Sequence, residues 1–146
     1  MAHENPSDDA VRTLLTDARV IAVVGASSSP DRPSYGIFKK LLGAGYRVVP
    51  VNPNETEVLG QKAYATVADV PYPIDIVDVF RRPEFTPDIA DEAVRAKAKA
   101  LWLQSGIVNE DAARRAHDGG LTVVMDSCIG VMHGLLGVAK KPPPAP

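Results

Sequence analysis

The stretch VIAVVGASSSPDRPSYG, residues 20–36, decides the fold class of this chain. Its first five residues are all apolar, which is typical of a strand that is buried on both faces of a parallel sheet. Glycine, serine and proline dominate the next part, so a loop is expected there. Ser34 is a suitable N-cap for a helix whose apolar side chains begin at Ile37. The stretch therefore predicts a strand, a loop and a helix in that order.

The same alternation continues along the chain. Further strands are predicted at 46–51, 74–80, 100–104 and 121–125, with a short one near 60–65, and further helices at 8–17, 87–97 and 110–117 with the caps Ser7, Thr86 and Asn109. Strands and helices that alternate at this spacing form right-handed βαβ units. We therefore expect an α/β fold with a doubly wound, mostly parallel sheet flanked by helices. A single domain is expected over residues 1–139, and the proline-rich segment 140–146 is expected to be a disordered tail.

Composition and charge exclude several classes of protein. The chain has 16 basic and 18 acidic residues, so its net charge of −2 provides no global positive field for nucleic acid or an anionic membrane. Its apolar runs are far shorter than the roughly 20 residues that cross a bilayer, and its start is unlike a secretory signal, so a cytoplasmic location is expected. The single cysteine excludes an internal disulfide framework. The histidines lack metal-ligand neighbours in the sequence, so no metal site is expected.

The loop after the first strand is the first candidate binding site, because doubly wound sheets bind ligands beyond the carboxyl ends of their strands. Its glycine can adopt backbone angles closed to other residues, its serines offer hydroxyl and N–H groups, and the helix start favours an anion. These features outline a phosphate cradle, and a plain turn between strand and helix is the alternative. The candidate residues are Gly25, Ala26, Ser27, Ser28, Ser29, Arg32, Tyr35 and Gly36.

The second loop bears on the choice of nucleotide. A dinucleotide fingerprint G-x-G-x-x-G is absent, since the next glycine after Gly25 comes 11 positions later. The second strand ends in Asn52 and Pro53, where a typical NAD site has Asp or Glu. Glu55 and Glu57 lie close enough to substitute. An NAD(P)-binding, oxidoreductase-like or redox-sensing domain therefore remains the alternative to another phosphate-bearing ligand, and a purely structural interaction protein is a third hypothesis.

The third loop contains Arg81 and Arg82 at the predicted carboxyl end of a central strand. A guanidinium there can pair with a phosphate in a planar, two-point contact, and Arg32 can join them. The alternative is that these side chains are solvated or pair with Asp78 or Glu84.

The fourth loop contains Gln104, Ser105 and Gly106. An amide side chain at this position can bind the edge of a base or of another amide. The alternative is a buried glutamine that the backbone satisfies. Trp102, just before this loop, is expected to pack in the core.

Five segments of the chain resemble the small stand-alone coenzyme A-binding proteins in their order and spacing. These are VVGASSSPDRPSYGIFKKLL, GYRVVPVNPNETEVLGQKAYATVADVP, IDIVDVFRRPE, LWLQSGIVNEDAARRAHDGGLTVVMD and Cys128. That family has a Rossmann-like domain related to the N-terminal domain of the succinyl-CoA synthetase α subunit. The resemblance covers residues Asp8 to Leu136, and it implies coenzyme A or an acyl-CoA as the ligand.

The resemblance also implies a role for each of the four loops. Residues Gly25 to Ser29 and Arg32 would hold the phosphates, and Asn52 and Pro53 would line the adenosine side. Arg81 and Arg82 would meet phosphate or pantetheine, and residues 104–106 would close the pocket.

The segment after the last strand departs from the family pattern of Asp-Arg-Cys followed by a Glu-His pair. Asp126, Cys128 and His133 are present, but Ser127 stands at the Arg position and Met132 at the Glu position. The synthetase relatives use a phosphorylated histidine from a further domain and an ATP-binding partner subunit, and this chain shows neither. With no catalytic constellation in the sequence, we expect a non-catalytic binding module. Whether it forms a homodimer stays open.

Overall fold

The computed structural model describes residues 2–142. The seven strands are β1 Val20–Val24, β2 Arg47–Val51, β3 Glu57–Val58, β4 Gln61–Lys62, β5 Ile76–Val79, β6 Ala100–Leu103 and β7 Thr122–Val124. The five α-helices are α1 Asp8–Asp17, α2 Pro33–Gly43, α3 Thr86–Arg95, α4 Glu110–Asp118 and α5 Ile129–Leu135. Two short 3-10 helices span Val67–Asp69 and Pro83–Phe85.

Five of the strands form one parallel sheet in the order β2-β1-β5-β6-β7, and β3 and β4 pair separately as an antiparallel ribbon. The chain leaves β1 for β2 at one edge and then crosses to β5 on the other side of β1. The strand order therefore reverses between β1 and β5, which opens a crevice over their carboxyl ends. The predicted Rossmann-like, doubly wound α/β fold is confirmed.

Helices cover both faces of the sheet, which explains the uninterrupted apolar sequence of β1. Side chains of α1, α2 and α5 pack on one face, around the fully buried Trp102 and Phe38. Side chains of α3 and α4 pack on the other face, around Leu101 and Leu103. The indole Nε1 of Trp102 donates to the carbonyl of Ser127 over 2.7 Å, so the prediction that this residue is in the core is confirmed.

Helix starts follow the predicted caps in part. Ser7 and Asn109 each accept a backbone N–H of their helix, as expected. Ser34 does not cap α2, because the helix already begins at Pro33 with Arg32 as its N-cap residue. A proline suits the first helical position, since it has no N–H to satisfy there and its φ is preset. Helix α5 has no counterpart among the predicted elements.

The described part of the C-terminal tail contacts the domain. Lys141 N donates to the carbonyl of Ala44 over 2.8 Å, its Nζ donates to the carbonyl of Thr16, and the same Nζ lies 5.1 Å from the centre of the Tyr46 ring. This differs from the disorder expected from residue 140 onward. Residues 143–146 lie outside the described residues, and the expectation for them stays a prediction. Within residues 2–142, no helix is both long and apolar enough to span a membrane.

Candidate functional site

A cavity of about 600 Å³ opens where the strand order reverses, at the carboxyl ends of β1, β2 and β5. Seven of the predicted site residues line it: Gly25, Ser27, Ser29, Arg32, Asn52, Pro53 and Arg81. Its other lining residues are Pro33, Ser34, Asn54, Glu55 and Phe80. A second cavity of about 580 Å³ lies between residues 2–4 and α4, but no loop that follows a strand contributes to it. The first cavity is therefore the candidate site of a doubly wound sheet.

Gly25 brings the first loop close to the end of β5. Its φ is +88°, and a Cβ added to it would lie 2.9 Å from the carbonyl oxygen of Phe80. Its N–H donates to the carbonyl of Val51 over 2.9 Å, which ties the loop to β2 as well. Only glycine fits both this conformation and this approach.

One serine of the first loop, Ser28, binds a carboxylate of the chain. Ser28 donates from its backbone N–H and from its hydroxyl to the two carboxylate oxygens of Glu55, over 2.9 and 2.8 Å. Ser27 Oγ accepts the N–H of Ser29 over 3.0 Å. The N–H and the hydroxyl of Ser28 thus both bind an anionic group, and here that group belongs to the chain itself.

Asn52 joins the first and second loops. Its Nδ2 donates to the carbonyl of Ala26, and its Oδ1 accepts the N–H of Asn54, each over 2.9 Å. A carboxylate has no donor, so Asp at this position cannot make both contacts. This is a structural reason for Asn where a typical NAD site has an acid.

The three candidate arginines differ in position. Arg32 and Arg81 line the cavity, whereas Arg82 does not. The side chain of Arg82 is 74% exposed, and its Nε lies 4.0 Å from Glu84 Oε2. The guanidinium carbons of Arg81 and Arg82 lie 4.7 and 5.2 Å from the centre of the Phe85 ring, within the range of cation–π contacts. Among residues 2–142, neither Arg32 nor Arg81 has a carboxylate partner.

The start of α2 lies at the same cavity. Arg32, Pro33 and Ser34 line the cavity, and no side chain among the described residues caps this helix start. The positive end of the helix dipole therefore lies beside the two arginines. Tyr35 and Gly36 belong to the same turn but do not line the cavity, nor do Ala26 and Ser28 of the loop.

The fourth loop lies beside the cavity rather than in its lining. Ser105 and Gly106 form an exposed turn, and Gly106 N donates to Asp126 Oδ1 over 2.7 Å. Gln104 is buried, and its backbone N–H donates to the carbonyl of Val79 over 3.3 Å. Its side-chain Nε2 donates to Asp78 Oδ1, so a side chain, not the backbone, satisfies this amide.

Asp78 is the residue of this region that sequence reasoning did not assign to the site. It is fully buried, and its Oδ2 is enclosed without a hydrogen-bond partner among the described residues. Burial raises the pKa of Asp78 from its ordinary value of 3.8 to about 8, against the lowering effect of the hydrogen bond from Gln104. The signal in the sequence is an acidic residue in the middle of the buried strand IDIVDVF.

Cys128 and His133 do not form a nucleophile and base pair. Cys128 is the half-buried N-cap residue of α5, and no hydrogen bond joins it to His133 within residues 2–142. The His133 ring packs edge-on against Tyr46 at 5.8 Å. Burial lowers the pKa of His133, and the positive charges of Lys40 and Lys141 lower it further.

Comparison with known proteins identifies relatives of nearly the same length. YneT of Bacillus subtilis (strain 168) is 43% identical over 132 residues, which are 90% of this chain and 98% of YneT. The solved structure of a protein from Pyrococcus horikoshii OT3 has a TM-score of 0.87 at 38% identity, and the match covers 93% of this chain and 99% of that one.

A larger relative matches over only part of its length. The α subunit of ADP-forming acetate–CoA ligase II from Pyrococcus furiosus is 31% identical over 126 residues, which are 79% of this chain but 28% of that subunit. The family model described as a CoA binding domain matches residues 19–134. The resemblance seen in the sequence is thereby confirmed, and this chain belongs to the CoA-binding domain family.

Proposed function

We propose that this protein binds coenzyme A or an acyl-CoA in the cavity between the ends of β1, β2 and β5, without acting as a ligase itself. The observation that carries the proposal is the convergence of Arg32, Arg81 and the start of α2 on one cavity. The chain has a net charge of −2, so this is a local concentration of positive potential. It suits a ligand with several phosphates.

The positions of the loops suggest the orientation of the ligand. Its phosphates would lie at Ser27, Ser29 and Arg32, beside the start of α2. The adenosine would lie toward Asn52 and Pro53 at the end of β2. The pantetheine arm would then pass Arg81 toward β6, where Gln104 and residues 105–106 follow.

The pairing of Glu55 with Ser28 sets a condition on phosphate binding. A phosphate that takes the N–H and hydroxyl of Ser28 has to displace the Glu55 carboxylate, because both are acceptors for the same donors. The negative charge of Glu55 also opposes an anion elsewhere in the cavity. We propose that Glu55 holds the loop in place while the site is empty and weakens phosphate binding.

Two observations support a non-catalytic role. The match to the acetate–CoA ligase subunit spans 28% of that subunit, so most of the ligase subunit has no counterpart in the matched region. Cys128 and His133, the nucleophile and base candidates after the last strand, are not paired.

A ligand panel tests the proposal. Thermal unfolding would be measured with coenzyme A, acetyl-CoA, NAD and NADP at equal concentrations, because a ligand that binds only the native state raises its apparent stability by mass action. Coenzyme A or acetyl-CoA is expected to raise Tm, and the nicotinamide nucleotides are not. A shift with NAD or NADP and none with coenzyme A would establish the alternative ligand class. Product formation from acetate, ATP and coenzyme A by the isolated chain would contradict the non-catalytic role.

A further inference from the structure

Asp78 and Gln104 form a buried polar pair at the edge of the candidate site. Side chains alternate between the two faces of a strand, so the pair lies on the face that also carries Ile76 and Trp102. Helices α1, α2 and α5 cover this face. Asp78 is in register with Val23 of β1 and Trp102 of β6, which places the carboxyl in the middle of the sheet.

Burial of the Asp78 carboxyl in the middle of the sheet lowers the stability of the fold. It is 0% exposed, it accepts one hydrogen bond at Oδ1, and its Oδ2 has no partner within residues 2–142. An enclosed polar atom without a partner destabilises the fold, whereas an apolar side chain of similar size packs without that penalty. The visible contact that Asp78 makes with its side chain is the one that holds the Gln104 amide.

Gln104 directly follows β6 and lies beside the cavity rather than in its lining. Gln104 is 4% exposed. Its backbone N–H donates to the carbonyl of Val79, the residue directly before the cavity-lining Phe80. With Nε2 committed to Asp78, Gln104 Oε1 accepts no hydrogen bond from the described residues. It is also not among the enclosed side-chain atoms without a partner, which are Asp78 Oδ2 and His133 Nε2. The carbonyl oxygen of the amide is therefore not fully enclosed, and its acceptor capacity is unused among the described residues.

We infer that Asp78 is a positioning residue that fixes the Gln104 amide so that its Oε1 accepts a secondary amide N–H from the pantetheine arm of the ligand. This inference rests on the proposed function, since coenzyme A has two such amides. A carboxyl retains a carbonyl oxygen whether it is ionised or protonated, so Asp78 accepts the Gln104 N–H in either state. The pair selects for the pantetheine arm and leaves the nucleotide half of the ligand to the other loops.

The experiment compares two ligands that differ in the pantetheine arm. Affinities for coenzyme A and for 3′-phosphoadenosine 5′-diphosphate would be measured by calorimetry for the natural chain and for Gln104→Met, Asp78→Val and Asp78→Asn. Met keeps the length of the glutamine without its amide, Val removes the acceptor, and Asn is the matched control that keeps a carbonyl oxygen. Gln104→Met and Asp78→Val are expected to weaken coenzyme A binding by roughly 3- to 10-fold, the size of one neutral hydrogen bond. Asp78→Asn is expected to stay within about 2-fold, and the nucleotide fragment is expected to bind all four chains alike.

A double substitution separates positioning from a general structural effect. If Asp78 acts through Gln104, Asp78→Val combined with Gln104→Met costs no more affinity than either change alone. Equal losses for both ligands, additive losses, or no loss in Gln104→Met would overturn the inference. If Asp78→Val does not fold, the affinities of Gln104→Met and Asp78→Asn are compared instead. A loss of coenzyme A affinity in Gln104→Met but not in Asp78→Asn supports the inference, and equal affinities of the two variants contradict it. A natural chain that binds neither ligand contradicts the proposed function instead, so the two failures are distinguishable.

Discussion

The side-chain Nδ2 of Asn52 donates a hydrogen bond to the carbonyl oxygen of Ala26 over 2.9 Å, which connects the loop after β2 to the loop after β1. The two loops line the same cavity, so this contact holds the walls of the candidate site at a set distance. The amide also accepts the N–H of Asn54, and it therefore fixes its own loop as well.

Asn52→Asp is expected to weaken this connection. The carboxylate retains the contact with Asn54 N–H but places a negative oxygen against the carbonyl of Ala26, which is then left without its donor. Loss of a partly buried hydrogen bond of this kind costs about 1–2 kcal/mol of unfolding free energy. Urea denaturation would measure it, and an unchanged midpoint would show that the contact contributes nothing to stability.

Arg81→Ala and Arg82→Ala form a matched pair of neighbours, of which only Arg81 lines the cavity. Hydrogen bonds to charged groups contribute about 1.5–3 kcal/mol, so loss of a contacting Arg81 is expected to weaken coenzyme A binding roughly 10- to 150-fold. Arg82→Ala is expected to change affinity by less than about 2-fold. Calorimetry at low and high salt would check both values, and the Arg81 effect should shrink as salt rises. Equal effects of the two changes would contradict the distinction.

Glu55→Gln is expected to strengthen binding of a phosphate-bearing ligand. The substitution removes the negative charge that faces the cavity, yet the new amide oxygen can still accept one donor of Ser28. The half-buried charge of Glu55 is still partly screened by salt, so an affinity gain of about 2- to 5-fold at low salt is expected. Glu57→Gln, an exposed change on the neighbouring β3, is the control for net charge. A gain of the same size in the control would show that overall charge, not this contact, matters.

Asp78→Asn is expected to change how stability depends on pH. Because burial raises the pKa of Asp78 to about 8 in the folded state, the carboxyl stays protonated between about pH 4 and 8 while it is ionised in the unfolded chain. Its contribution to stability is therefore fully present below about pH 4 and is lost as the pH rises to 8.

The steepness of this pH dependence follows from the single proton that the Asp78 carboxyl binds. Relative to Asp78→Asn, the natural chain should lose up to about 1.4 kcal/mol of unfolding free energy per pH unit within that window. Chemical denaturation of both chains at several pH values would measure the difference. Parallel pH profiles would mean that the carboxyl titrates normally.

Truncation is expected to separate two parts of the C-terminal tail. Deleting residues 143–146 should leave Tm and affinity unchanged, since that segment has no apolar pattern with which to dock. Deleting residues 141–146 also removes Lys141, with its hydrogen bonds to Ala44 and Thr16, and should lower Tm by a few degrees. Identical melting curves for the two truncations would show that the Lys141 contacts are not stabilising.

Local chemistry in the sequence determined the elements and their burial. The apolar run of β1 indicated a strand covered on both faces, Ser7 and Asn109 marked the starts of α1 and α4, and Gly25 marked a tight turn. These features depend on residues that are close in sequence, so a pattern of a few residues reports them. The order of strands and helices then implied the doubly wound class and the end of the sheet where a ligand binds.

Only the tertiary structure decided which of the candidate residues share the cavity and which side chains hold each other. Asn52 with Ala26, Ser28 with Glu55, and Gln104 with Asp78 are pairs separated by 26 or 27 residues. Such pairs form because parallel strands place the ends of successive βαβ units side by side, and no local pattern encodes which side chain then faces which. The same reason separates Arg81 from Arg82: both guanidinium groups lie against the Phe85 ring, but only Arg81 lines the cavity, and only the fold determines which of the two does so.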